Sequence, residues 1–100
     1  MLCALTVRRL KPGSFDAFAE AFRPGDGDAP PAGWVRFDML RDTRDPDHVV
    51  TFGFFDGTLD ELEASQAKEG YQDVKDATAS LVDAVIVNGV YEIVEARVVE

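Results

Sequence analysis

The stretch LRDTRDPDHVVTFGFF, from Leu40 to Phe55, constrains the fold of this 100-residue chain more than any other segment. The run HVVTFGFF is β-branched and aromatic, which is typical of a strand, and an Asp-Pro turn precedes it. Upstream of the turn, WVRFDMLRD indicates a second strand. Two strands with a short polar connection predict an antiparallel hairpin, with its charged residues at the tip beside His48.

The segment before the hairpin is predicted to form a strand and then a helix. MLCALTVRRL has the apolar density of a buried strand, from Leu2 to Arg9, and KPG ends it. Ser14 is expected to cap the helix, because its hydroxyl can accept a bond from a backbone N–H of the first turn. The helix carries an aromatic stripe at helical spacing, formed by Phe15, Phe18, Ala19 and Phe22.

A second helical region is predicted after the hairpin. Thr58 and Glu61 have the spacing of a capping box, which indicates a helix start. Gly70 interrupts the helical pattern, and a further helical stretch is expected from Tyr71 to Val82.

The chain is predicted to end in a strand from Val90 to Val99. Asn88-Gly89 is expected to be a turn or a helix exit. Residues 85–87 are compatible with a continued helix or with a short strand.

These elements follow the order strand, helix, strand, strand, helix, strand. The order predicts an α+β, ferredoxin-like βαββαβ fold, in which a four-stranded antiparallel sheet carries both helices on one face. One hundred residues are enough for one such domain, so residues 1–100 are expected to form a single unit.

Apolar residues are predicted on both faces of this sheet. Those expected beneath the helices are Cys3, Leu5, Val7, Val35, Phe37, Met39, Val50, Phe52 and Phe54. Those expected on the opposite face are Leu2, Ala4, Thr6, Arg8, Trp34, Arg36, Asp38, Leu40, Val49, Thr51, Gly53 and Phe55. A large exposed apolar patch marks an interface, and a twofold contact with a second copy is self-complementary. We therefore predict a homodimer with its two sheets packed face to face, as an α+β barrel.

Polar residues interrupt the second of these faces, and two interpretations are open. One is an Arg–Asp pair, such as Arg36 with Asp38, satisfied at the rim of the interface. The other is a polar pocket between sheet and helices, with Trp34 as an aromatic wall. The candidate substrate-binding residues are Thr6, Arg8, Trp34, Arg36, Asp38, Thr51, Tyr71 and Tyr91.

The charge of the chain argues against two classes of partner. The formal net charge is −9; residues 1–44 carry seven Lys/Arg against six Asp/Glu, and residues 45–100 carry three against thirteen. Such an acidic chain repels phosphate backbones and anionic lipid, so neither nucleic acid nor a membrane surface is expected as a partner.

Other sequence features argue against a disulfide within the chain and against a metal site. The single cysteine, Cys3, allows no disulfide within the chain, and Asp26 and Asp28 lack the downstream glutamate of a calcium loop, so no metal is expected.

The N-terminal arginines follow the apolar run instead of preceding it, and no apolar stretch approaches about 20 residues. A cytoplasmic location is therefore expected.

Several fragments resemble the antibiotic-biosynthesis monooxygenase family of dimeric α+β barrels. They are Gly33-Trp34, the segment from Leu40 to Phe52, FDGTLDELEA before and within the second helix, and GVYEIVEA near the end. The resemblance spans nearly the whole chain. It implies a barrel dimer whose terminal strand reaches the partner. It also implies oxygenation of an aromatic or quinol-like small molecule without a bound cofactor, or, in another branch, haem degradation.

The chain departs from that family at functional positions. Phe54-Phe55 stand where a tryptophan is usual after the third strand, and the histidine common early in the second helix is missing. The haem-degrading branch uses a helix histidine and an asparagine on the first strand. Here the only asparagine is Asn88 and the only histidine is His48 at the hairpin tip, so haem is not expected.

Three functions remain open at this point. The first is an oxygenase-like enzyme, for which Trp34, Arg36, Tyr71 and Tyr91 are candidate donors to a substrate anion. The second is a non-catalytic homodimeric module that binds a small molecule or stabilises a partner. The third is a lyase or isomerase of a related barrel branch, whose base inside the barrel would be Asp38 or Glu92.

Overall fold

The computed structural model describes residues 1–22, 32–67 and 69–99, with the backbone alone for residues 69–72. The elements in chain order are β1 (Leu2–Leu10), α1 (Phe15–Phe22), β2 (Trp34–Arg41), β3 (His48–Phe55), α2 (Leu59–Gln66), α3 (Glu69–Ala79) and β4 (Val82–Glu92). Asp26 and Asp28 lie outside the described residues. No helix in the part of the chain that the structure describes is long and apolar enough to cross a membrane.

The strands form one antiparallel sheet in the order β2-β3-β1-β4, so the ferredoxin-like α+β fold is confirmed. The hairpin between β2 and β3 is also confirmed. Its turn is closed by bonds from Asp42 N to His48 O and from His48 N to Asp45 O. The Asp42 carboxylate accepts bonds from the backbone N–H groups of Arg44 and Asp45, and the Arg44 bond contributes most to lowering the pKa of Asp42.

The second helical region consists of two helices. α2 begins with the predicted capping box, in which Thr58 and Glu61 each accept a bond from the other's backbone N–H. α3 starts at Glu69, so Gly70 lies inside a helix instead of interrupting one. It ends at Ala79, and Val82 begins a strand.

The prediction for the C-terminal strand was wrong by eight residues at its start. β4 runs from Val82 to Glu92, residues 85–87 belong to it, and residues 93–99 have no regular secondary structure. Asn88 and Gly89 do not form a turn, because they pair with Thr6 and Leu5 of β1. Pairing along the whole of β1 outweighs the local turn preference of an Asn-Gly sequence.

The core lies between the sheet and the helices. Leu10, Phe18 and Val49 form a buried cluster, and Phe55 and Leu62 are also buried. Leu10 and Val49 belong to β1 and β3, the two central strands, while Phe18 comes from the aromatic stripe of α1.

The predicted faces of β1 and β3 were wrong, because they are interchanged. In β3, Val49, Thr51, Gly53 and Phe55 are buried beneath the helices, and the alternate residues are only half-buried. Residues directly opposite one another on antiparallel strands share a face, so the pairing register extends this assignment across the sheet. β3 is apolar on both faces, and alternation alone does not decide which of two apolar faces is covered.

We call the two faces the helix-covered face and the open face. The helix-covered face holds Leu2, Ala4, Thr6, Arg8, Trp34, Phe37, Met39, Val49, Thr51, Gly53, Phe55, Asn88 and Val90. The open face holds Cys3, Leu5, Val7, Arg36, Asp38, Leu40, Val50, Phe52, Phe54, Val87, Gly89 and Tyr91. Val35 lies in an irregularity of β2, which places Trp34 and Phe37 on the same face although they are three residues apart.

Candidate functional site

A positively charged group lies under α1 on the helix-covered face. Arg8 is half-buried and donates from Nη1 to Oγ1 of Thr51 at 2.6 Å, and Thr51 is only 4% exposed. The Arg8 guanidinium carbon lies 5.5 Å from the ring centroid of Phe18 and 5.6 Å from that of Phe22. Aromatic faces attract a cation at this range, so α1 and β3 together hold the charge in place.

A row of polar side chains crosses the sheet next to Arg8. Thr51, Thr6 and Asn88 lie side by side on β3, β1 and β4, and we call them the polar row. Thr6 Oγ1 donates to Asn88 Oδ1 at 3.2 Å. Asn88 was not among the predicted site residues, because its place opposite Thr6 depends on a long-range register that local sequence does not reveal.

Aromatic rings lie beside the polar row, and we call Trp34, Phe37 and Phe55 the aromatic platform. The Trp34 ring centroid lies 4.9 Å from that of Phe37 and 5.1 Å from that of Phe55. Two of the rings rest on the backbone of Gly53: a Cβ added there would come within 2.8 Å of ring atoms of Phe37 and Trp34. Gly53 is therefore the residue that lets the platform lie against the sheet.

The helix α2 holds one edge of the aromatic platform. Trp34 Nε1–H donates to Oγ of Ser65 at 2.7 Å, and Ser65 is 8% exposed. This bond joins the edge strand β2 to the helix layer.

The polar row and the aromatic platform are neighbours. Thr51 and Gly53 are two residues apart on the same face of β3, which corresponds to about 7 Å along a strand. A cation with hydroxyl groups beside packed aromatic rings suits a planar ring that bears an acidic hydroxyl group.

An open cleft of about 390 Å³ adjoins the platform, between α2 and the segment before β2. Its lining shares Phe55 and Ser65 with the groups described above and consists of Ala32, Gly33, Phe55, Asp56, Glu61, Ala64 and Ser65. Gly33 has a φ of 94°, accepts a bond from Asp56 N, and would clash with the Phe55 ring if it carried a Cβ. A second open cleft, of about 360 Å³, lies at the charged hairpin tip and is lined by Arg41, Asp42, Thr43, Arg44 and Pro46.

The predicted substrate-binding residues are divided between the two faces. Thr6, Arg8, Trp34 and Thr51 share the helix-covered face, whereas Arg36, Asp38 and Tyr91 lie on the open face. The side chain of Tyr71 lies outside the described residues.

The open face carries an ion pair among apolar residues. Arg36 Nε and Nη2 each lie 2.8 Å from Asp38 Oδ2, so the predicted Arg36–Asp38 pair is present. The Arg36 guanidinium carbon also lies 5.6 Å from the Phe54 ring centroid. Cys3 lies on the same face opposite Phe54, and burial raises the pKa of its thiol. A raised pKa favours the neutral thiol, as expected of a small apolar residue.

Within residues 1–22, 32–67 and 69–99, no group of three His, Cys, Asp or Glu side chains is arranged to hold a metal ion. His48 lies at the first residue of β3, opposite Arg9 and beside the hairpin turn. The helix-covered face offers a cation, hydroxyl groups and aromatic surfaces.

The fold and this site define a ferredoxin-like α+β domain with a partly exposed polar and aromatic site on its helix-covered face and a bare sheet face on the other side. Solved structures share the fold. A proposed antibiotic biosynthesis monooxygenase from Nitrosomonas europaea matches with a TM-score of 0.79 and 22% identity, covering 95% of this chain and 100% of that one. A second one, from Chloroflexus aurantiacus, matches with a TM-score of 0.77 and 20% identity, covering 99% and 98%.

A third, from Deinococcus radiodurans, matches with a TM-score of 0.74 and 18% identity, covering 100% of this chain and 99% of that one. No family model and no curated protein matches the sequence. The resemblance seen in the sequence is therefore confirmed in three dimensions, as a likeness of fold.

Proposed function

We propose that this protein binds an aromatic or quinol-like small molecule on its helix-covered face and oxygenates it without a bound cofactor. The observation that carries the proposal is the Arg8–Thr51 pair beside the aromatic platform. It supplies a positive charge where a substrate anion forms and flat surfaces where its rings lie. The fold shared with proposed antibiotic biosynthesis monooxygenases supports the reaction class.

The role of Arg8 follows from electrostatics. A cation within a few ångströms lowers the pKa of a phenolic hydroxyl by about 1–3 units, because it stabilises the phenolate. Thr51, whose Oγ1 accepts from Arg8, adds a hydroxyl group that can donate to the same oxygen. The substrate proton leaves to solvent, and the electron-rich anion is the species that reacts with oxygen.

The reaction that we propose for an anthrone-like ring balances with dioxygen as the only oxidant. The ring CH2 group takes one oxygen atom and becomes a carbonyl, while its two hydrogens leave with the other oxygen atom as water. The substrate supplies all four electrons. The protein's part is to bind the ring and hold the anion.

Oxygen uptake with a panel of hydroquinones and anthrones tests the proposal. We expect uptake above the buffer rate, and a large loss in Arg8→Met, which keeps an apolar stem but removes the charge. Arg9→Met is the matched control, since Arg9 is the next residue of β1, on the opposite face, paired with Asp45 at the hairpin turn. No uptake by the wild type, or equal losses in both variants, would contradict the proposal.

A second candidate function is a non-catalytic binding module. It is favoured by the position of His48, the only histidine, which lies beside the hairpin turn and not among the polar row. A binding module needs no base. This function predicts that the same molecules quench the fluorescence of Trp34, the only tryptophan, while oxygen uptake stays at the buffer rate.

We also propose that two copies pack through the open face as a homodimeric barrel. The face is largely apolar, and its Arg36–Asp38 pair is mutually neutralising. Two such faces therefore meet without bringing like charges together, although each chain carries a net charge of −9. Apolar patches of this kind are typical of interfaces.

Residues 93–99 support the same assembly. Val94, Val98 and Val99 are each more than nine-tenths exposed in a single copy. Their segment directly follows β4. At its start, the backbone N–H of Ile93 donates to the carbonyl oxygen of Met1, which precedes β1. We propose that this segment packs on the partner, as the family resemblance implies.

A further inference from the structure

Ser65 is a buried polar residue in the interior of a helix. It lies inside α2, it is 8% exposed, and its hydroxyl receives the indole N–H of Trp34 at 2.7 Å. Serine is a weaker helix former than alanine, which occupies the preceding position, Ala64. A buried helical serine therefore costs stability unless its hydroxyl has a specific partner, and Trp34 is that partner.

The bond from Ser65 gives the indole of Trp34 a directional contact, which its apolar neighbours do not supply. Trp34 is the first residue of the edge strand β2, next to the irregularity at Val35. Beneath it lies the backbone of Gly53, so close that a Cβ there would come within 2.8 Å of a Trp34 ring atom. Phe37 and Phe55 pack against the indole at interplanar angles of 31° and 66°, which are apolar contacts without a directional bond.

The hydrogen bond between Trp34 and Ser65 also lies beside the open cleft, through which we expect a ligand to enter. Ser65 and Phe55 both line the open cleft of about 390 Å³ beside α2, and both contact Trp34. The indole of Trp34 therefore borders this cleft through Phe55 and Ser65.

We propose that Ser65 is a positioning residue that fixes the ring plane of Trp34, and that Trp34 held in this way selects flat aromatic ligands over twisted ones. The inference deepens the proposed function and rests on it for the class of ligand. Ser65 acts through Trp34, and it is the direction of its hydrogen bond, not its volume, that matters.

The first part of the test reads the hydrogen bond directly. Because Trp34 is the only tryptophan, a ¹⁵N-labelled sample gives one indole N–H signal. We expect Ser65→Ala to move this signal upfield and to speed its exchange with solvent, and Ser65→Thr, which keeps a hydroxyl, to restore both. Thr78→Ala is the control: it removes a buried hydroxyl that donates only within α3, to Val74 O and Lys75 O.

The second part reads selectivity with two matched probes, anthraquinone-2-carboxylate and 4-benzoylbenzoate. Both have two aryl rings and a carboxylate, but only the first is held flat. Quenching of Trp34 gives each dissociation constant. We expect the wild type, Ser65→Thr and Thr78→Ala to prefer the flat probe, and Ser65→Ala to lose up to about tenfold of that preference, the size of one oriented aromatic contact.

The outcomes separate the inference from the function on which it rests. If the wild type binds neither probe, the proposed function and the inference are both overturned. If the wild type prefers the flat probe and Ser65→Ala keeps the same preference, only the inference is overturned. An indole signal that Ser65→Ala leaves in place would also overturn it.

Discussion

Arg8 and Thr51 are joined across the two central strands by a 2.6 Å hydrogen bond from Nη1 to Oγ1, beneath the aromatic residues of α1. A charged donor bonded to a neutral, buried hydroxyl is an arrangement that core packing alone does not require. Its position beside the aromatic platform makes it the centre of the site that we propose.

Thr51→Val tests the contribution of this bond. Valine has nearly the shape of threonine but no acceptor, so the Arg8 guanidinium loses a charge-assisted bond on a partly buried side. We expect the free energy of unfolding to fall by about 1–3 kcal/mol in urea titrations. Thr43→Val, at the exposed hairpin tip, is the control and should change it by less than about 0.5 kcal/mol. Equal values for the two variants would show that the Arg8–Thr51 bond adds nothing.

Gly53→Ala tests the packing of the aromatic platform on the backbone of β3. The added Cβ would come within 2.8 Å of Trp34 and Phe37 ring atoms, so at least one ring must move. We expect a loss of about 1–3 kcal/mol in unfolding free energy, as for other overpacked positions, and a shift of the Trp34 emission maximum. At Gly89, a strand glycine of β4, the added Cβ would meet the half-exposed Tyr91 at 3.3 Å, so Gly89→Ala should leave the emission unchanged.

Asp42→Ala tests the hairpin turn through its pH dependence. The backbone N–H of Arg44 holds the pKa of Asp42 below its usual value, so the carboxylate stabilises the folded state when ionised. This stabilisation is present above the ordinary pKa and is lost as the pH falls through the lowered one. We expect the melting temperature of Asp42→Ala to lie below that of the wild type at pH 7, with the difference shrinking as the pH falls below 3.8. A difference that stays constant through that range would contradict this account.

Leu40→Glu tests the open face. Leu40 is 50% exposed in one copy, and an acidic residue there would place like charges in the proposed interface. We expect sedimentation to show a dimer for the wild type and a monomer for the variant. Leu59→Glu is matched for exposure, at 49%, but lies at the start of α2, so it should leave the dimer intact. A wild type that sediments as a folded monomer would contradict the proposed homodimeric barrel.

The order of elements could be predicted from sequence because each depends on local chemistry. The hairpin follows from an Asp-Pro turn between the run WVRFDMLRD and a β-branched, aromatic run, and the start of α2 follows from Thr58 and Glu61. Both signals are read from consecutive residues and need no information about distant partners. The ferredoxin-like topology then follows from the order of the elements.

The faces and the last strand could not be predicted, because they depend on long-range pairing. β3 carries Val50, Phe52 and Phe54 on one face and Val49 and Phe55 on the other, so its pattern fits either orientation. Asn88 and Gly89 have strong turn chemistry, yet they pair with β1. The bond between Ser65 and Trp34 joins positions 31 residues apart, and nothing near either residue in the sequence indicates the other.

The site itself was therefore only partly predictable. Thr6, Arg8, Trp34 and Thr51 were grouped because they alternate along their strands, and they do share a face. The same alternation grouped Arg36 and Asp38 with Trp34, but the irregularity at Val35 places them on the other side of the sheet. Asn88 and Ser65 enter the site only once the fold is known.

The most direct test of the central claim is to map amide shifts of the ¹⁵N-labelled wild type on adding 1,4-naphthohydroquinone without oxygen. We expect shifts concentrated at Thr51, Gly53 and the indole N–H of Trp34. Shifts confined to the open face, around Arg36 and Tyr91, or no shifts at millimolar ligand, would contradict it.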